Sequence, residues 1–185
     1  MAASKKPKPE VPTWSDVKAK LVDFDRGAVL GLIQDLYAAS KDNRNFLNAR
    51  FGLGGDVLEP YRLTIDRWLW PDVLKNQDTS IVKAKRAISD YQKAVGQPEG
   101  TAELMVFFCE RAAGFANEFG LQDDGYFNAL VRMFEQALKM VTRSALAQRE
   151  ALLGRLDAVR DVCSNFGYGV GDDMDTLMAG YGVED

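Results

Sequence analysis

Glu103, Glu110 and Asn117 recur at seven-residue intervals inside an apolar-rich segment, so on a helix they share one face. Carboxylates presented this way hold di-metal centres in helical bundles, but those centres also draw on Glu-x-x-His pairs. The chain has no histidine. The same absence removes every Ser-His-Asp triad, Cys-His pair and His-ligated zinc or haem. Two cysteines, Cys109 and Cys163, are too few for a Cys₄ site or a cluster and lack CxxC spacing. A polar helix face, or a few buried hydrogen bonds, is the favoured role for the Glu103 stripe.

A second group lies at Gly167-Tyr168-Gly169-Val170-Gly171-Asp172-Asp173. It has the glycine content of a phosphate-cradling loop but matches neither G-x-G-x-x-G nor the Walker spacing. Asp172, Asp173 and Asp175 would also repel a phosphate. The expected role is a link between helices, with Asp172 or Asp173 as N-cap. The three aspartates are minor candidates for a magnesium or calcium site, since the EF-hand offsets are absent. No metal site is favoured and no cofactor is expected.

Three further groups bear on recognition. Lys83, Arg86 and Lys93 share a helix face, with Lys85 close in sequence; such a face can meet phosphates or an acidic partner. Its commoner role is solvation with pairing such as Arg86–Asp90. The segment Asp42 to Arg50 is dense in amides and guanidinium groups, and amides have poor helix propensity and tend to persist for a reason. Arg44, Asn45, Asn48 and Arg50 are therefore candidates for a partner surface, or for hydrogen bonds to the adjoining loop. Trp70 ends an apolar stripe to which it does not belong. It is a lid over the core edge or an exposed anchor for a partner, and the lid is favoured.

The elements that must position these groups are helical throughout. Thr13 to Asp16 fits a capping box, followed by Trp14, Val17, Leu21 and Phe24 on one stripe. Asp25 caps a helix whose buried face is Val29, Leu32, Ile33, Leu36 and Tyr37. Ser40 or Asp42 opens a short helix ended by Gly52, Gly54 and Gly55. Asp56 caps the next, which Pro71 stops. Ile81, Ala84, Ile88, Tyr91 and Val95 define another, closed by Gly96. A helix from Pro98 to about Phe119 is apolar nearly all round at Leu104 to Cys109, which places it at the centre. Stripes through Phe127 to Val141, Leu152 to Phe166 and Met174 to Tyr181 complete the set. The fold class is all-α, about nine helices in antiparallel pairs of roughly 40 residues. Pairs of that size suit a short right-handed HEAT- or TPR-like solenoid, or an irregular helical bundle.

The 185 residues carry 23 basic and 27 acidic side chains, a net charge of −4. Residues 1–12 hold three lysines, one glutamate and three of the six prolines, and read as a disordered basic arm. Residues 13–182 read as one helical domain. Residues 171–185 hold five acids and no base. The nearly neutral body lacks the basic surface of a general nucleic-acid binder. The longest apolar run, Leu104 to Cys109, is far short of the roughly 20 residues that span a bilayer. Lys5, Lys6 and Lys8 have no apolar segment behind them, so a cytoplasmic chain without export is expected.

The order Asp35-Leu36-Tyr37, Lys41 to Phe51, Ala84 to Tyr91, then Gly167 to Asp175 resembles a widespread bacterial family of small all-helical proteins of unknown function. The resemblance runs from about Val17 to Tyr181. It implies a bacterial, cytosolic, all-helical protein and supplies no catalytic residue. The front hairpin is also similar to helical segments of larger bacterial proteins built from HEAT- or TPR-like pairs. The expected function is a non-enzymatic helical scaffold that binds another protein. The alternatives are a His-free carboxylate enzyme or small-ligand binder using Asp172, Asp173, Glu103 or Glu110, and a nucleic-acid accessory protein using Lys83, Lys85, Arg86 and Lys93.

Overall fold

The computed structural model describes residues 11–182, and every regular element among them is helical. In chain order these are α1 (Trp14–Leu21), α2 (Arg26–Ala39), α3 (Lys41–Arg50), α4 (Glu59–Leu69), α5 (Ile81–Ala94), α6 (Pro98–Phe119), α7 (Asp124–Val141), α8 (Leu146–Cys163) and α9 (Val170–Gly180). A 3₁₀ turn, Val73–Lys75, follows α4. The chain divides into two compact units, residues 1–44 and 45–185. The basic arm expected at 1–12 lies, through residue 10, outside the described residues.

Side-chain caps set most of the helix starts. The Asp16 carboxylate accepts from the Thr13 N–H and hydroxyl at 2.7 and 2.8 Å. Asp25 accepts from the Ala28 N–H at 2.7 Å, Ser40 from Asn43 at 3.1 Å and Asp123 from Tyr126 at 2.6 Å. The last three bonds each satisfy a first-turn donor that the helix cannot. Two starts differ from expectation. Asp56 caps a turn ahead of α4, accepting from the Leu58 N–H at 2.8 Å, and the helix begins only at Glu59. Neither Asp172 nor Asp173 caps α9. Tyr168 and Gly169 both adopt positive φ, 61° and 72°, and the helix starts at Val170 with the two aspartates already in its first turn.

Unit 1 contradicts the sequence pattern in one respect. The stripe on α2 was expected to be a buried face, yet no residue of α1 or α2 is buried. Ile33 is 39% exposed, Leu36 49% and Trp14 68%. Amphipathic spacing makes a helix with an apolar face; it does not by itself supply the surface that covers it.

Unit 2 is built around α6. Helices α4, α5, α7 and α8 all pack on α6, and α9 packs on α7 and α8. Leu104, Val106, Phe108, Cys109 and Ala112 of α6 are fully buried, as the all-round apolar run requires. Phe127, Leu130, Phe134 and Leu138 of α7, Ile65 and Leu69 of α4, and Leu156 of α8 meet them in one contiguous core. Each such side chain contributes about 1.5–3 kcal/mol through burial.

Candidate functional site

The carboxylate stripe of α6 is an ion-pair network. Arg155, from α8, donates through Nε and Nη2 to the two oxygens of Glu110 at 2.7 and 2.8 Å. Its Nη1 reaches Glu103 at 2.7 Å. Glu103 also accepts from Arg62 Nη2 of α4 at 3.3 Å, and Arg62 Nη1 meets Asp56 at 2.6 Å. Hydrogen bonding to Glu110 outweighs desolvation and holds the Arg155 guanidinium above its ordinary range. The network ties α8 and α4 to α6, and it occupies the carboxylates on which a catalytic reading of this stripe relied. Asn117, the third member, is exposed.

A cavity of about 600 Å³ opens beside this network, within unit 2. Five helix ends surround it: the last residues of α3 and α5 and the first turns of α4, α6 and α8. Arg50, Arg62, Tyr91, Glu99, Glu103 and Gln148 supply its polar lining. Gln148 Nε2 donates to the Glu99 carbonyl at 3.2 Å, pinning the start of α8 to the start of α6. The Arg50 guanidinium lies over the Phe46 ring at 5.4 Å and donates to the Lys93 carbonyl. Burial, with the nearby Glu99 charge, raises the Tyr91 phenol above its ordinary value, so it is a neutral hydroxyl.

The remaining candidates disperse. Arg44 is exposed on α3, and Asn45 and Asn48 are half-buried. Arg50, at the end of the same helix, belongs to the cavity wall instead. Trp70 is half-buried and meets Phe115 and Phe119 edge-on at 6.1 and 6.3 Å, with the Arg111 guanidinium 4.2 Å from its ring. Of the basic face, Lys83 sits 3.7 Å over Trp68, while Arg86 and Lys93 each stand 3.7 Å from Asp90. Lys85 points elsewhere: burial first, then the charge of Arg132 on α7, holds it below the usual lysine range. Asp175 pairs with Arg160 at 3.6 Å, Asp172 and Asp173 are exposed, and no three metal-ligating side chains converge among the described residues. Both cysteines are free and buried.

Arg155, Arg62, Tyr91 and Gln148 carry the site's geometry and were not singled out by sequence. For Arg155 a signal existed: it adjoins Leu152 and Leu156 on the buried stripe of α8, where a guanidinium needs a carboxylate partner. Among the described residues no helix is long and apolar enough to cross a membrane. Comparison with family models, curated proteins and solved structures finds no match.

Proposed function

We propose that the protein is a non-enzymatic helical scaffold that binds another protein, and that α1 and α2 supply the docking face. The observation that carries this reading is the uncovered apolar stripe of unit 1. Trp14, Val17, Val29, Ile33 and Leu36 recur at helical spacing and are all exposed. Helices of 8 and 14 residues gain little stability from their backbone alone, so an apolar stripe on them points to packing against something else. An amphipathic helix of a partner protein has the matching chemistry. The occupation of Glu103 and Glu110 by Arg155 supports a binding role over carboxylate catalysis. Of the residues that sequence favoured as the partner surface, Arg44 is exposed on α3 within unit 1.

The test is a pull-down from the native host with the wild type and an Ile33→Asp/Leu36→Asp variant, with the melting temperature of each purified chain. Loss of specific partners at an unchanged melting temperature supports the reading. An identical partner set overturns it. So does a fall of more than about 5 °C in the purified variant, because the stripe would then be covered within the chain itself.

A further inference from the structure

We infer that the cavity of unit 2 binds a small zwitterion of the amino-acid class, with Arg50 and the start of α6 receiving the carboxylate and Glu99 the ammonium. The inference goes beyond the scaffold reading and does not rest on it.

Tyr91 points to a ligand. Its side chain is only 1% exposed and lines the cavity, yet its hydroxyl has no hydrogen-bond partner among the described residues. Unlike the buried, unpaired Tyr61 hydroxyl, it opens to the cavity, where it can donate to a guest. The hydroxyl lies against the first turn of α6: a Cβ built at Gly100 would stand 2.0 Å from Tyr91 Oη and 2.5 Å from Cζ. Glycine at this position is what lets the phenol reach the cavity.

The start of α6 is itself unsatisfied. Its N-cap residue, Gln97, makes no side-chain cap, and Pro98 has no N–H. The N–H groups of Glu99 and Gly100 therefore lack intrahelical acceptors and carry the positive end of a 22-residue helix. Both residues line the cavity. Three donors, two N–H groups and one phenol, thus sit together without an acceptor.

Charge selects the ligand class. Arg62 and Glu103 neutralise each other and are held by Asp56 and Arg155. Arg50 and Glu99 remain, one cation and one anion on the cavity wall, neither with an ion-pair partner among the described residues. A plain anion would gain Arg50 and be repelled by Glu99; a plain cation would meet the reverse. A zwitterion satisfies both. Val57, Leu58 and Val95 offer an apolar wall for its side chain, and the volume lies within the range of small-molecule sites.

Calorimetric titration of the full chain with L-leucine, N-acetyl-leucine and leucine amide tests the site. Leucine is expected to bind, and each blocked form at least tenfold more weakly. Arg50→Gln and Glu99→Gln remove exposed side chains whose contacts with the fold are confined to the Lys93 carbonyl and the Phe46 ring, both of Arg50, and each is expected to weaken leucine by about tenfold. Glu99→Gln should in addition narrow the gap between leucine and its N-acetyl form. No heat from leucine up to about 10 mM overturns the inference. So do blocked forms that bind as well as leucine, or variants that leave its affinity unchanged. None of these outcomes touches the docking face on α1 and α2.

Discussion

Arg155 grips Glu110 with two parallel N–H···O bonds, Nε to Oε1 and Nη2 to Oε2, across the packing of α8 on α6. This fork matches the planar geometry of guanidinium to that of carboxylate, which an ammonium cannot do. The third arm, Nη1 to Glu103, links the same cation to the cavity wall.

Arg155→Met should therefore cost about 2 kcal/mol, because two partly buried carboxylates lose their shared cation. Arg155→Lys should recover less than half of that, since one ammonium cannot serve both oxygens of Glu110 and reach Glu103 as well. Glu103→Gln/Glu110→Gln in the Arg155→Met background should return most of the loss by removing the charges that Arg155 neutralised. Urea denaturation of the four proteins measures this; equal stability of the Met and Lys variants would refute the fork as the source.

The two thiols predict how stability falls in alkali. Burial pushes Cys163 up to about 12 and Cys109 well above its ordinary value, with the neighbouring Cys163 adding to the shift at Cys109. Burial likewise raises Tyr126, whose hydroxyl donates to the Ala112 carbonyl at 3.1 Å. The folded chain favours the neutral forms, while unfolded thiols ionise from about 9.0. The stability they confer is thus complete below pH 9 and is lost as pH rises toward 12, at about 1.4 kcal/mol per pH unit for each thiol. Cys109→Ala/Cys163→Ala should flatten that slope whatever its effect on absolute stability. An aromatic disulfide reagent at pH 8 should label neither thiol until the chain is unfolded.

Two glycines in the α8–α9 region should respond to alanine with opposite signs. A Cβ at Gly171 would lie 3.0 Å from Ser164 Cα and 3.1 Å from Ser164 O, both backbone atoms that cannot swing aside. Gly171→Ala should force the start of α9 off the end of α8 and cost about 1–3 kcal/mol. Gly154 is exposed inside α8, and a Cβ there meets nothing within 4 Å. Gly154→Ala should stabilise by about 0.5–1 kcal/mol through helix propensity alone. Thermal melts of the two variants decide the matter, and a shift in the same direction would count against the close approach of α9 to α8.

What the sequence made legible follows from the range of each interaction. Caps act within three residues, so Thr13 with Asp16 and Asp25 could be read directly, and Ser40 as one of two candidates. The all-round apolar run of α6 announced a central helix for the same local reason. The α9 start was misplaced because Tyr168 takes a left-handed conformation that a non-glycine residue rarely adopts, so Asp172 looked like the first available cap. The cavity was invisible for a different reason. Arg62 and Glu103, or Arg155 and Glu110, are more than 40 residues apart and meet only through helix packing. The α1–α2 stripe shows the limit of periodicity: it marks which face is apolar and leaves open what lies against it.

Trp70 decides between a lid and an anchor. Its indole leans edge-on against Phe115 and Phe119, and a Cβ at Gly114 would come within 2.7 Å of its Cζ3. That glycine leaves the ring a seat on α6, and the Arg111 guanidinium lies over the ring while pairing with Asp66. An aromatic held in this way stabilises by apolar burial and by the cation over its ring. Trp70→Ala should therefore cost about 2–3 kcal/mol, and Trp70→Phe less than half as much, since a smaller ring keeps the contact with Phe115. Gly114→Ala should displace the indole and lower the melting temperature even though alanine is the better helix former. A Trp70→Ala variant that melts with the wild type would mean that the ring contributes nothing to the core edge, and would return it to the surfaces available to a partner.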